Sequence, residues 1–169
     1  TLFITLEGAY HGDTFGAMAT GDPDPFFLDF APLLFQVERI PLEATALEEV
    51  LSRNAGRVAA VLVEPLVQGA AGMKMHPPSF LTEVRQLCDQ HGTLLIADEV
   101  MTGFGRTGTL FAGEQAGISP DLLCLAKGLT GGIFPLAATL ATEEIYASFL
   151  SSDRSKAFFH GHSFTANPI

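Results

Sequence analysis

Two short apolar runs, each ending in a charged residue, constrain this chain more than any other feature. Thr93 to Ala97 delivers Asp98 and Glu99, and Asp121 to Leu125 delivers Ala126 and Lys127, with a glycine-rich turn between them. Apolar runs of this length bounded by turn residues read as strands covered on both faces. Parallel α/β sheets gather their ligands outside the carboxyl ends of such strands. An acid and a lysine presented this way face one ligand. The pair suits a ring-nitrogen cofactor held through an imine, with the lysine forming the Schiff base and the carboxylate partnering the pyridinium nitrogen.

The rest of the chain alternates in the same manner. Thr1 to Glu7 reads as a strand, and Gly8 to Gly12 as a turn. Asp13 is placed to cap a short helix through Ala19, since a carboxylate accepts from the unpaired amides of a first turn. Gly21 to Pro32 reads as a loop by its prolines. Gln36 to Pro41 is expected as a strand, and Leu42 to Asn54 as a helix with Leu47, Val50 and Leu51 at helical spacing. Arg57 to Val63 is a strand ending at Glu64-Pro65, and Val67 to Pro78 a loop. A helix capped by Ser79 runs to His91 and turns Phe80, Leu81, Val84, Leu87 and Cys88 inward. Beyond Lys127, a strand is expected over Leu136 to Ala141 and a helix near Glu143 to Leu150. This alternation predicts an α/β fold with a mainly parallel sheet.

Composition narrows the function. With 47% apolar residues over 169, the chain has enough for a sizeable core of about one domain. Nine basic against 19 acidic residues give a formal charge of −10, which argues against a nucleic-acid or anionic-membrane surface and favours small-molecule ligands. No run reaches the ~18 apolar residues of a spanning helix. Cys88 and Cys124 sit inside apolar runs without metal-type spacing and read as core thiols, for which a reducing cytoplasm is the natural setting.

Other features have plainer readings. Gly103-Phe-Gly105-Arg-Thr-Gly108 has the spacing of dinucleotide sites, yet its glycines neither follow a strand directly nor open a helix, so a backbone-shaping loop is expected. His11, His160 and His162 form no coordinating set by position, and no metal site is expected. Gly69-Ala70-Ala71-Gly72 reads as a close-packing turn.

The run LLIADEVMTGFGRTGTLFAGEQAGISPDLLCLAKGLTGG resembles the core of the class III, fold-type I aminotransferases, which use pyridoxal phosphate. The likeness extends over the whole chain through GAYHGDTFGAMA (Gly8 to Ala19), VEPLVQGAAGM (Val63 to Met73) and HGHSFTANP (His160 to Pro168). It implies a three-layer αβα architecture in which residues 1–169 form part of the large, cofactor-binding domain. It also implies that Lys127 is the imine-forming lysine, that Asp98 partners the ring nitrogen, and that Val100 and Tyr10 pack on opposite ring faces. Asp13 would stand behind Tyr10 in the substrate pocket, and Glu64 would lie near the substrate side. Ser163 falls where the family usually has a threonine that reaches the cofactor phosphate of the neighbouring subunit in a homodimer.

Within the family, YHGDT, LTGG followed by LAATLAT, and HGxSF most resemble members acting in biotin synthesis. S-adenosylmethionine is then the implied amino donor and 8-amino-7-oxononanoate the acceptor. An ornithine or ω-amino acid donor, an aminomutase, or a non-catalytic α/β scaffold are the rival readings. The resemblance further implies a phosphate-binding turn upstream of Thr1 and a carboxylate-binding arginine downstream of Ile169. The chain is therefore expected to be an internal piece, inactive as 169 residues.

Overall fold

A computed structural model describes residues 1–161. The elements run β1 (Leu2–Leu6), α1 (Phe15–Thr20), β2 (Glu38–Ile40), α2 (Ala44–Arg53), β3 (Val58–Val63), β4 (Val67–Gln68), β5 (Lys74–Met75), α3 (Pro78–His91), β6 (Leu94–Asp98), β7 (Leu122–Leu125), β8 (Ala138–Ala141) and α4 (Glu143–Ala147). Six strands form one sheet in the order β2-β1-β3-β6-β7-β8. All neighbours in it are parallel except β8, which returns antiparallel on β7. This is the mainly parallel α/β sheet that the alternating pattern predicts.

Strand periodicity explains the core. Side chains two apart share a face, so Ile4 with Leu6 and Val61 with Val63 point to one side, where Leu95 joins them. Helices α2 and α3 cover that side with Leu47, Val50, Leu51, Phe80, Leu81, Val84 and Cys88. Each fully buried leucine or valine there contributes roughly 1.5–3 kcal/mol. Helix α3 ends at Gly92, whose φ of 62° is left-handed, and the chain then reverses into β6 with the Thr93 amide bonded to the Cys88 carbonyl.

One polar clamp sets β7 beside β6. Asp121 Oδ2 accepts from Arg85 Nη1 on α3 and from the Leu95 amide of β6, both at 2.7 Å. The start of β7, and so the placement of Lys127 at its far end, is tied to the best-packed helix.

Several local expectations are corrected. Asp13 does not cap α1: Thr14 stands at the N-cap without a side-chain bond, and the Asp13 carboxylate accepts from the Tyr10 hydroxyl instead. Nor does Ser79 cap α3, which starts one residue earlier behind Pro77 with a proline in its first turn, where the missing amide costs nothing. The proline-rich loop contains a 3-10 turn, Leu28–Leu33, and the loop after Pro65 folds back as the antiparallel β4-β5 pair. Cys88 is buried, whereas Cys124 is only half-buried, and both are free thiols.

Candidate active site

Strand β6 ends on Asp98, which is 8% exposed. Its Oδ1 accepts from the Val100 amide at 3.0 Å, and its Oδ2 lies 2.7 Å from Nδ1 of His11. His11 comes from the turn after β1, on the far side of β3, so the contact bridges three strand ends. The neighbouring carboxylate, Glu99, is spent differently. It is 1% exposed and accepts from the amides of Ala112 and Gly113 at 2.7 and 2.9 Å and from the Thr102 hydroxyl, pinning a 3-10 turn (Ala112–Ala116) against the sheet.

Lys127 follows β7 with a φ of 38°, an uncommon backbone for a lysine. Such residues gather at functional sites where the surrounding fold over-determines them. The next residue shows how: a Cβ on Gly128 would lie 2.8 Å from Cβ of Phe104, so only glycine lets the glycine-rich loop press on the lysine turn. That loop shapes backbone, and no helix opens at Gly108; the next element is the 3-10 turn at Ala112. Lys127 is exposed, so the partly desolvated setting that imine chemistry wants is not supplied by these residues.

Asp98 and Lys127 line one cavity of about 420 Å³, together with Tyr10, His11, Glu64, Val100 and Met101. Glu64, 6% exposed after β3, accepts from the Tyr10 amide at 3.0 Å and the Gly69 amide at 2.9 Å, and so holds two walls of the cavity in place. Burial pushes its carboxyl above the usual glutamate range, although the two amide bonds pull the other way. A Cβ on Gly69 would sit 2.5 Å from the Met101 sulfur, so a side chain there would require the Met101 side chain to shift. The Tyr10 hydroxyl donates to Asp13 Oδ1 at 2.7 Å, and that bond, with burial and the nearby charge, raises the phenol. Asp13 does not line the main cavity but an adjoining apolar one with Tyr10, Phe26, Phe27 and Phe30. Ser163 lies outside the described residues.

The sequence reading therefore brings Lys127, Asp98, Tyr10, Val100 and Glu64 to one cavity and leaves Asp13 next door. It missed His11 as a partner of Asp98. Their separation of 87 residues hides the contact, and only the placement of both at strand ends hinted at it.

Residues 1–169 match the family described as Aminotransferase class-III, and the chain belongs to that family. Among named relatives, it is 52% identical over 182 residues to the adenosylmethionine-8-amino-7-oxononanoate aminotransferase of Synechococcus elongatus, covering 98% of this chain and 42% of that protein. It is 45% identical over 170 residues to the acetylornithine aminotransferase of Methanopyrus kandleri, covering 100% of this chain and 41% of that protein. The crystal structure of the adenosylmethionine-8-amino-7-oxononanoate aminotransferase from Methanocaldococcus jannaschii superposes with a TM-score of 0.91 at 40% identity, over 97% of this chain and 40% of the other. The chain thus spans about two fifths of the length of the proteins it matches.

Class III aminotransferases are pyridoxal phosphate enzymes, and the donor set here fits that group. A carboxylate with free lone pairs suits a protonated ring nitrogen, an amine on the next strand suits an aldehyde, and Val100 with Tyr10 offers walls for a flat ring. The cavity lies within the roughly 300–1,000 Å³ usual for small-molecule sites.

Proposed function

We propose that the full-length protein is a pyridoxal phosphate-dependent aminotransferase that moves an amino group from S-adenosylmethionine to 8-amino-7-oxononanoate, giving 7,8-diaminononanoate for biotin synthesis. The reaction class rests on one observation, the meeting of Asp98 and Lys127 at a single cavity. The substrates rest on the names of relatives from Synechococcus elongatus and Geobacter sulfurreducens, at 52% and 48% identity.

Bound pyridoxal phosphate supplies an aldehyde carbon and an electron-withdrawing ring. Lys127 would hold that group through its amine, and as a free amine would carry a proton to and from the donor's reacting carbon. Asp98 keeps the ring nitrogen protonated, because an adjacent anion favours the cation. Val100 and Tyr10 bound the two ring faces, while Asp13 and Glu64 stand on the substrate side, Asp13 behind Tyr10. Ser163 is assigned to the phosphate of a neighbouring subunit in a homodimer. The apolar side chains exposed beyond Lys127, among them Ile133, Phe134 and Leu140, support an interface near the lysine. We read residues 1–169 as part of the large, cofactor-binding domain, and place the enzyme in the cytoplasm. Among the described residues no helix is long and apolar enough to cross a membrane.

A donor of the ornithine type is the second reading, favoured by the 45% identity to the acetylornithine aminotransferase. Incubating purified full-length protein and pyridoxal phosphate with each donor separates the two. The expected result is consumption of S-adenosylmethionine and formation of 7,8-diaminononanoate. Turnover of acetylornithine or an ω-amino acid with S-adenosylmethionine left intact would overturn the substrate assignment. A scaffold without chemistry is separated by Lys127→Ala, which is expected to cut turnover by about 10²–10⁴-fold or more through the lost proton carrier alone.

A further inference from the structure

The cavity floor holds a buried polar cluster, Glu64, His11 and Asp98, in which His11 has so far no task. We propose that His11 is a positioning residue, whose Nδ1–H fixes the Asp98 carboxylate so that its remaining lone pairs face the ring nitrogen of a bound pyridine cofactor. The inference rests on the reading of Asp98 as that nitrogen's partner.

A carboxylate offers about four lone-pair sites on its two oxygens. The Val100 amide takes one on Oδ1, and His11 takes one on Oδ2 at the short distance of a charge-assisted bond. Donors on both oxygens stop the group from rotating and leave two sites free. His11 is itself held: its side chain is 4% exposed, and its Nε2 lies 3.5 Å from the hydroxyl of Thr5, a residue with no exposed surface near the carboxyl end of β1. An ionised carboxylate only accepts, so Nδ1 carries the proton. In the neutral ring Nε2 then accepts from Thr5. The groups that face the imidazole are thus Asp98 and Thr5, with the Glu64 charge close by. A chain of buried contacts runs from the sheet interior to the acid, which suits orientation better than proton exchange with solvent.

The test uses full-length protein titrated with pyridoxal phosphate, reading both the dissociation constant and the position of the bound cofactor's visible band at fixed pH. Variants are His11→Leu, His11→Asn, His11→Gln and Asp98→Asn. Asparagine places an amide N–H near the position of Nδ1, whereas glutamine reaches toward that of Nε2. His11→Leu is expected to weaken cofactor binding by about tenfold or more, the effect of one lost hydrogen bond to a charged group. It is also expected to move the band in the direction of Asp98→Asn. His11→Asn is expected to restore both readouts close to wild type, and His11→Gln is not. Wild-type affinity and an unmoved band in His11→Leu overturn the proposal. Should that variant fail to fold, equal behaviour of the Asn and Gln variants overturns it. Wild-type protein that takes up no pyridoxal phosphate, or an Asp98→Asn variant without effect, sinks the reading of Asp98 and the proposal with it.

Discussion

Residues 2–100 and residues 126–161 are both rich in apolar side chains, yet they end in opposite conditions. The first region buries Ile4, Leu47, Leu81 and Leu95 completely, whereas no residue from Ala126 to Gly161 is buried and Ile133, Phe158 and Phe159 are 86%, 67% and 77% exposed. The two halves of the site share this division. Asp98 sits in the closed region with His11, Val100 and Glu64 around it, and Lys127 stands at the edge of the open one. The acid is thus oriented by contacts within these residues. Lys127 lacks such enclosure among the described residues, and exposed apolar area of the extent seen beyond it is of the kind that marks an interaction surface.

The contrast has measurable consequences. In the 169-residue chain, Leu81→Ala is expected to cost about 2–5 kcal/mol in urea unfolding, because it leaves a cavity under α3. Phe158→Ala is expected to change stability by less than about 0.5 kcal/mol, as an uncovered side chain should. Similar costs for the two would erase the division. An effect between these two is expected at Glu99, where replacement by Gln takes the charge from the three bonds that its carboxylate accepts and costs roughly 1–3 kcal/mol. An unchanged denaturation midpoint would show that this carboxylate does not hold the 3-10 turn.

The smallest effect is a slope. Burial raises the Glu64 carboxyl in the folded chain, so the folded state keeps a proton that the unfolded state has already released. The resulting contribution is whole below the ordinary glutamate value and fades as pH rises toward the raised one. Glu64→Gln cannot titrate and is expected to flatten the pH dependence of the melting temperature across that window. An identical slope in the variant would place the titrating group elsewhere.

Much of this was legible in the residues because the informative signals are local. The runs ending at Val63, Asp98 and Lys127 are short, apolar and bounded by turns, and they fold as parallel neighbours. Helix α3 carries its inward residues at unmistakable spacing. What escaped is what depends on partners distant in sequence or on very short elements. Asp13 looks like a cap until Tyr10 takes it. The β4-β5 pair has two residues per strand, too few for a period to register. Glu99 and Asp98 are adjacent and identical in charge, and only the fold shows that one clamps a turn while the other lines the cavity. His11 belongs to no coordinating set by position, and nothing near it in sequence announces Asp98.

The central claim is that one lysine and one acid serve the same bound ring, and it can be read from a covalent label. Full-length protein is loaded with pyridoxal phosphate, reduced with borohydride, digested and mapped by mass spectrometry. The account expects the reduced cofactor on Lys127, with loading weakened in Asp98→Asn. A label on Lys74, on Lys156 or on a lysine outside these residues would contradict it.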